Sequence, residues 1–263
     1  MNGDDAAVLA ALPGWAFIFV LVLARVASAF MLLPGLGEAE LPAPVRAGLA
    51  VAFTLVLLPV VGPDLPPMPD AGLAALLVVV GEVVVGLWLG WLARLLMLAL
   101  PMAGQIIGGV IGLANVLQPD AALGPQSTAL ARLFALAAPV AIMAAGLHAL
   151  PLAALEGSYH VLPPLAADGL SLPAGDAAQA IMVAVSASFA LALRLAAPFV
   201  LAAIVWNFAL GLLSRLVPQL QVYFAVLPGQ IAGGFVLLAL LSASVVAAWL
   251  VAMRAGFATL PGL

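Results

Sequence analysis

Arg25, Glu82, Arg94, Arg132 and Arg194 all fall inside long apolar runs, where an ionisable side chain needs a reason to be. A charge at the centre of a bilayer costs roughly 2.5–3.5 kcal/mol on insertion scales, so such residues face a protein interior or an aqueous cavity. Two chemistries fit: structural ion pairing that fixes helix register, or the lining of an aqueous path. Glu82 and Arg94 lie on one run, about 18 Å apart at 1.5 Å per helical residue, so their partners belong to other helices or other chains. A proton relay would want more acids than this.

Catalysis finds no equipment. The sequence has no lysine, which removes a phosphate-loop Gly-Lys pair and a Schiff base. His148 and His160 are not in a His-Glu-x-x-His arrangement, and no Gly-x-Ser-x-Gly elbow is present. Glu82 alone sits deep in an apolar run, so paired-carboxylate chemistry lacks a second member. Cysteine is absent, which excludes disulfides and thiolate metal sites. The expectation is a protein that is not an enzyme and uses no cofactor or metal.

Small residues mark where helices meet. Gly86 and Gly90, and Gly229 and Gly233, are four apart, a spacing that lets backbones approach closely. Gly104, Gly108 and Gly112 share one face of a short segment that also carries Gln105, Asn115 and Gln118. Pro119-Asp120 and Gly124-Pro125 follow. Each glycine lowers helix stability by about 1 kcal/mol against alanine, so this is a bendable element. Irregular backbone at membrane depth persists where it is buried in protein or lines a cavity. Residues 104–125 are therefore the best functional segment, with a plain re-entrant or surface connection as the alternative.

The elements that position these residues follow from composition. Of 263 residues, 67% are hydrophobic and 7% charged, against roughly 45–50% and 25% in soluble domains. Such a chain cannot build a polar shell, so lipid or other protein must clothe it. The apolar runs are continuous, as at 73–80 and 199–205, without the alternation of barrel strands. The fold class is all-α: an integral membrane protein with about six long apolar helices and a short glycine-rich re-entrant segment. Net charge is −4 and every basic residue is arginine; with no basic cluster, nucleic-acid binding is disfavoured. No basic region precedes the first apolar run, so a cleaved signal peptide is not expected.

Spans are expected at 15–33, 45–61, 71–100, 127–155, 176–213 and 231–253, with a shorter segment at 102–118. Pro34-Gly35 closes the first, and a hinge with Glu38, Glu40, Pro42 and Pro44 leads to the second, which opens with Arg46. Pro101 should break the third helix and Pro198 should kink the fifth. Residues 215–230, with Arg215 and Pro218, read as a hinge between the last two helices, held by a local partner of the arginine. The stretches 62–70 and 156–176 carry acids and no arginine, which places them outside by the positive-inside rule. Arg254 then conflicts with six spans. One membrane domain over 1–263 is the simplest organisation.

At this point the order and spacing of short blocks resemble the FliR/SctT family of flagellar and type III secretion export-gate subunits. The blocks are Leu23-Ala24-Arg25, Leu33-Pro34-Gly35, Pro44-Val45-Arg46 and Leu57-Leu58-Pro59; then Gly81-Glu82 with Gly86 and Gly90, Ala103-Gly104-Gln105-Ile106-Ile107-Gly108 and Gly112-Leu113. The most specific runs from Arg194 and Pro198 through Asn207 to Leu210-Gly211-Leu212-Leu213-Ser214-Arg215 and Pro218-Gln219. Leu227 and Gly229-Gln230 stand where the family has phenylalanine and often a basic residue, and Leu147-His148 where it often has Gly-His.

The resemblance implies a non-enzymatic core component of a protein-export channel in the bacterial inner membrane, at a flagellar basal body or an injectisome base. The implied partners are FliP-like and FliQ-like gate subunits, an FlhB-like subunit, membrane lipid and unfolded export substrates. The family's plug, which closes the resting pore, would fall on residues 108–125, with Gly108, Gly112, Asn115, Gln118, Pro119 and Asp120 as its candidates. Arg25, Arg46, Glu82, Arg94, Arg132, Arg194, Asn207, Arg215 and Pro218 are candidates for buried structural roles. A small-molecule transporter or channel acting alone is the other class; it would favour broken helices in matching halves, which the sequence does not display.

Overall fold

The computed structural model describes residues 3–113, 128–164, 174–216 and 222–263. Among them are eight α-helices and no strand: α1 Gly3–Phe30, α2 Ala43–Val61, α3 Gly72–Met97, α4 Ala99–Val110, α5 Ala129–Ala144, α6 Ala149–Val161, α7 Ala174–Leu216 and α8 Val222–Phe257. Five stretches are long and apolar enough to cross a membrane, or six if the broken pair α5 and α6 counts as one span. The chain is a multi-pass, all-helical membrane protein.

Most boundaries have a local cause. α1 ends in a turn where Gly35 takes φ +82° and the Gly37 N–H donates to the Leu33 carbonyl at 2.8 Å. Pro42 and Pro44 flank the start of α2, where a missing N–H costs nothing because first-turn amides are unpaired anyway. The break expected at Pro101 lies earlier, at Leu98. Proline clashes with the carbonyl four residues before it, which is Met97, and α3 stops there.

Two expected elements are corrected. The single helix at 127–155 is two helices: Gly146 adopts φ +69°, the Gly146 N–H donates to Met143 O and the Leu147 N–H to Ile142 O. That pair of bonds is the glycine-terminated Schellman stop. The hinge at 215–230 is also shorter, because α8 starts at Val222 and carries Pro228 inside it. Proline is tolerated within membrane helices where neighbouring groups satisfy the freed carbonyl. α7 likewise continues through Pro198.

The chain forms two compact units. The first comprises Met1–Leu95, Ile142–Ala184 and Arg254–Leu263; the second comprises Leu96–Ala141 and Val185–Met253. In the first, α1 buries Leu21, Val22, Val26 and Ala29, and α3 buries Val85 and Leu89. Glycines set the α1–α3 separation: a Cβ on Gly86 would strike the Arg25 carbonyl and the Ser28 hydroxyl, and one on Gly90 would lie 2.7 Å from the Ala29 carbonyl. The segment after α8 returns to α6, where Gly262, at φ +103°, sits against Gly157. In the second unit, a Cβ on Gly104 would lie 2.9 Å from Ala131 Cα, and one on Gly234 would lie 2.6 Å from Ile111 Cβ.

Candidate functional site

Because Gly86 admits α1 so closely, Arg25 reaches the carboxylate that stands one turn earlier on α3. Its Nε donates to Glu82 Oε2 at 2.7 Å and its Nη2 to Glu82 Oε1 at 2.8 Å, a two-pronged pair with both side chains essentially out of solvent. Nη1 donates to Ser158 Oγ at 3.0 Å and Nη2 to the Leu162 carbonyl at 2.8 Å. The Tyr159 ring lies 4.1 Å from the guanidinium carbon, within cation–π range. A planar fork with five donors suits this kind of multiple engagement, and a lysine could not reproduce it. The centre ties α1, α3 and α6 at one level. Four of the five guanidinium donors find acceptors, and the Tyr159 hydroxyl is buried with no hydrogen-bond partner among the described residues.

A second pair fixes the turn after α1. Arg94 Nη1 donates to Glu38 Oε1 at 2.7 Å, and the same oxygen accepts the Gly35 N–H at 3.2 Å. Arg94 and Glu82 thus find partners on other parts of the chain, as their 18 Å separation on one helix requires.

The glycine face of α4 makes a different structure. Thr128 caps α5: its hydroxyl accepts the Ala131 N–H at 3.2 Å, satisfying an orphan donor of the first turn. The same hydroxyl donates to the Gly104 carbonyl at 3.2 Å, and the Thr128 N–H donates to Gln105 Oε1 at 2.8 Å. Gly108 lies directly under this residue; a Cβ there would be 2.6 Å from Thr128 Oγ1. The chain therefore leaves α4, passes Gly112 at φ +90°, and comes back into contact with α4 sixteen residues after that glycine. From the other side, Gln230 Nε2 on α8 donates to the Val110 carbonyl at 2.9 Å. Beside that contact a groove of about 310 Å³ is lined by Val110, Ile111, Trp206, Gln230 and Gly233, among others. We refer to the Gly104–Gly108–Thr128 contact as the neck.

Of the plug candidates, Gly108 and Gly112 belong to this neck and are buried. Asn115, Gln118, Pro119 and Asp120 lie outside the described residues, as does Pro218. The structural candidates divide. Arg25 and Glu82 are buried, and Arg94 and Arg46 are half-buried. Arg132, Arg194, Asn207 and Arg215 are each exposed on this chain, so burial of any of them would come from neighbouring chains. The physical reason is that α5 and α7 each bury one stripe and leave the rest of their surface uncovered. Asn207 turns its amide to the Ala203 carbonyl on its own helix.

Five partners escaped the sequence reading: Glu38, Thr128, Ser158, Tyr159 and Gln230. Thr128 had a legible signal, a threonine just ahead of an apolar helix. Glu38 stood in a hinge and gave no hint of its partner. Ser158 and Tyr159 are neutral residues in an apolar context, and no spacing rule links them to Arg25.

The model of the family described as bacterial export proteins, family 1, matches residues 16–256 of this chain. The flagellar biosynthetic protein FliR of Caulobacter vibrioides is 34% identical over 235 residues, covering 89% of this chain and 91% of the relative. The protein of the same description from Bacillus subtilis is 30% identical, covering 84% of each chain. The one from Escherichia coli is 29% identical, covering 86% of this chain and 85% of the relative.

Proposed function

This chain belongs to the bacterial export proteins, family 1, and on that premise we propose that it is a core subunit of the flagellar protein export gate. In this reading it has no catalytic activity. It helps form, and at rest helps close, the path by which unfolded export substrates cross the inner membrane. Its companions are FliP-like and FliQ-like subunits and an FlhB-like subunit. The flagellar assignment rests on the likeness to its flagellar relatives.

The observation that carries the closing role is the neck. Residues 113–127 are bracketed by a close contact of Gly108 with the Thr128 side chain and by hydrogen bonds at both ends. A closure that must yield to a passing polypeptide and then reseal needs two stable arrangements. In this reading the closing element begins at Gly108 and Gly112, and Asn115, Gln118, Pro119 and Asp120 form its substance. Arg25 and Glu82 then serve stability and take no part in gating.

Removal of residues 114–121 tests this. The shortened protein still co-purifies with the other gate subunits, and cells carrying it leak ions and small solutes. Unchanged permeability with the complex intact contradicts the closing role. An active, self-contained monomer or dimer in purified form would support a solitary transporter instead.

A further inference from the structure

Three successive residues at the end of α4 address one face of α8. Val110 offers its carbonyl to Gln230 Nε2 at 2.9 Å. Ile111 packs on Gly234, where a Cβ would lie 2.6 Å from the Ile111 Cβ. Gly112, at φ +90°, faces Leu227 and Ile231; a Cβ there would be 3.6 Å from a side-chain carbon of each. Positions 227, 230, 231 and 234 follow the spacing of a single helical face. Within residues 227–241, Gln230 alone has a side chain that can form a hydrogen bond.

That one polar side chain has a specific task. A helix end leaves its last carbonyls without donors of its own. At the end of α4 the Ile107 carbonyl accepts the Ile111 N–H at 3.0 Å, and the Gly109 carbonyl accepts the Gly112 N–H at 3.3 Å. The Val110 carbonyl is met from α8 instead. Methionine would fill the same half-buried place on this apolar helix, but it could not donate. The bond is single and neutral, unlike the charged fork at Arg25. The groove of about 310 Å³ borders both Val110 and Gln230, so the amide has room to swing clear without displacing backbone. Two discrete arrangements of this side chain are therefore open to it, which is what a reversible contact needs.

Resting on the export-gate reading, we infer that Gln230 is a positioning residue for closure. Bonded to Val110, it holds the end of α4 on α8 at rest. Released into the groove, it frees that end when the path opens.

The test records the conductance of the assembled complex in a planar bilayer, with the full chain carrying Q230M or Q230K, beside wild type and the 114–121 deletion. Q230M keeps the length of the side chain and removes the donor. One neutral hydrogen bond is worth about two- to tenfold in an equilibrium, so this complex spends about two- to tenfold more time conducting than wild type and still closes. Q230K keeps a donor and stays within about twofold of wild type, as the same hydrogen-bond arithmetic requires. Q230M as quiet as wild type, beside a deletion that conducts, would overturn the role of Gln230 and leave the gate reading standing. A silent deletion would overturn the closing role and this inference with it. Equal conduction by Q230M and Q230K would mean that bulk, not the hydrogen bond, sets closure, and would overturn the assignment. So would failure of the Q230M chain to co-purify, which would place Gln230 in assembly instead.

Discussion

Glycine brings two helices together in each unit of this molecule, but what fills the space beside the glycine differs. Against Gly86 stands Arg25, with four hydrogen bonds and an aromatic lid, 0% exposed. Against Gly108 stands Thr128, a helix cap with three modest hydrogen bonds and no charge. The first arrangement is costly to disturb, since opening it strands a guanidinium or a carboxylate in an apolar interior. The second can be rearranged for far less. A fixed frame and a yielding neck are thus written with the same residue, distinguished by whether a charge is buried next to it.

The sharpest way to break the comparison is to remove one member of the charged pair. Glu82→Leu leaves Arg25 uncompensated and should cost about 3–5 kcal/mol, seen as lost accumulation in membranes and a lowered melting temperature in detergent. Arg25→Met combined with Glu82→Leu should recover most of that loss, because well-packed apolar replacements of a buried pair are often neutral. Failure of the double variant to recover would mean the pair does more than hold register. Next in size, Gly86→Ala drives a methyl into the Arg25 carbonyl and Ser28 and should cost about 1–3 kcal/mol. Gly108→Ala meets Oγ1, Cβ and Cγ2 of Thr128; a Cβ moves only with its backbone, so this change too should cost about 1–3 kcal/mol. Gly109→Ala meets nothing within 4 Å and should be neutral or gain up to about 1 kcal/mol.

Smaller effects sharpen the neck itself. Thr128→Ala removes the cap of α5 and should cost about 0.5–2 kcal/mol, with increased hydrogen exchange at Ala131 and its neighbours as the readout. Arg94→Ala breaks a pair that is 27% exposed on the arginine side and should cost no more than about 1 kcal/mol by thermal unfolding. A loss as large as that of Glu82→Leu would place the Arg94–Glu38 pair in the frame.

Much of this was legible in the chain. Continuous apolar runs and a dearth of charge led to membrane helices, and the four-residue spacing of glycines found the contact faces of α3 and α4. Arg25 and Glu82 each stood out as charges without a visible reason. That they answer one another was not readable, because a 57-residue separation carries no periodic signal; Gly86 made the meeting possible, and its spacing to Gly90 spoke only of close helix packing. Gly146 stopped a helix that apolarity alone prolonged, because a single glycine inside an apolar run is usually tolerated. Arginine in an apolar run was expected to face a protein interior or an aqueous cavity, and α7 presents Arg194 and Arg215 outward from this chain.

As proposed, the neck anchors the element that closes the export path at rest. The most direct measurement is the conductance of the purified, assembled complex in a planar bilayer, with wild-type chain and with residues 114–121 removed. The account predicts a quiet wild-type complex and a steady, ion-conducting state in the shortened one. Equal, negligible conductance in both, from complexes of the same composition, would contradict it.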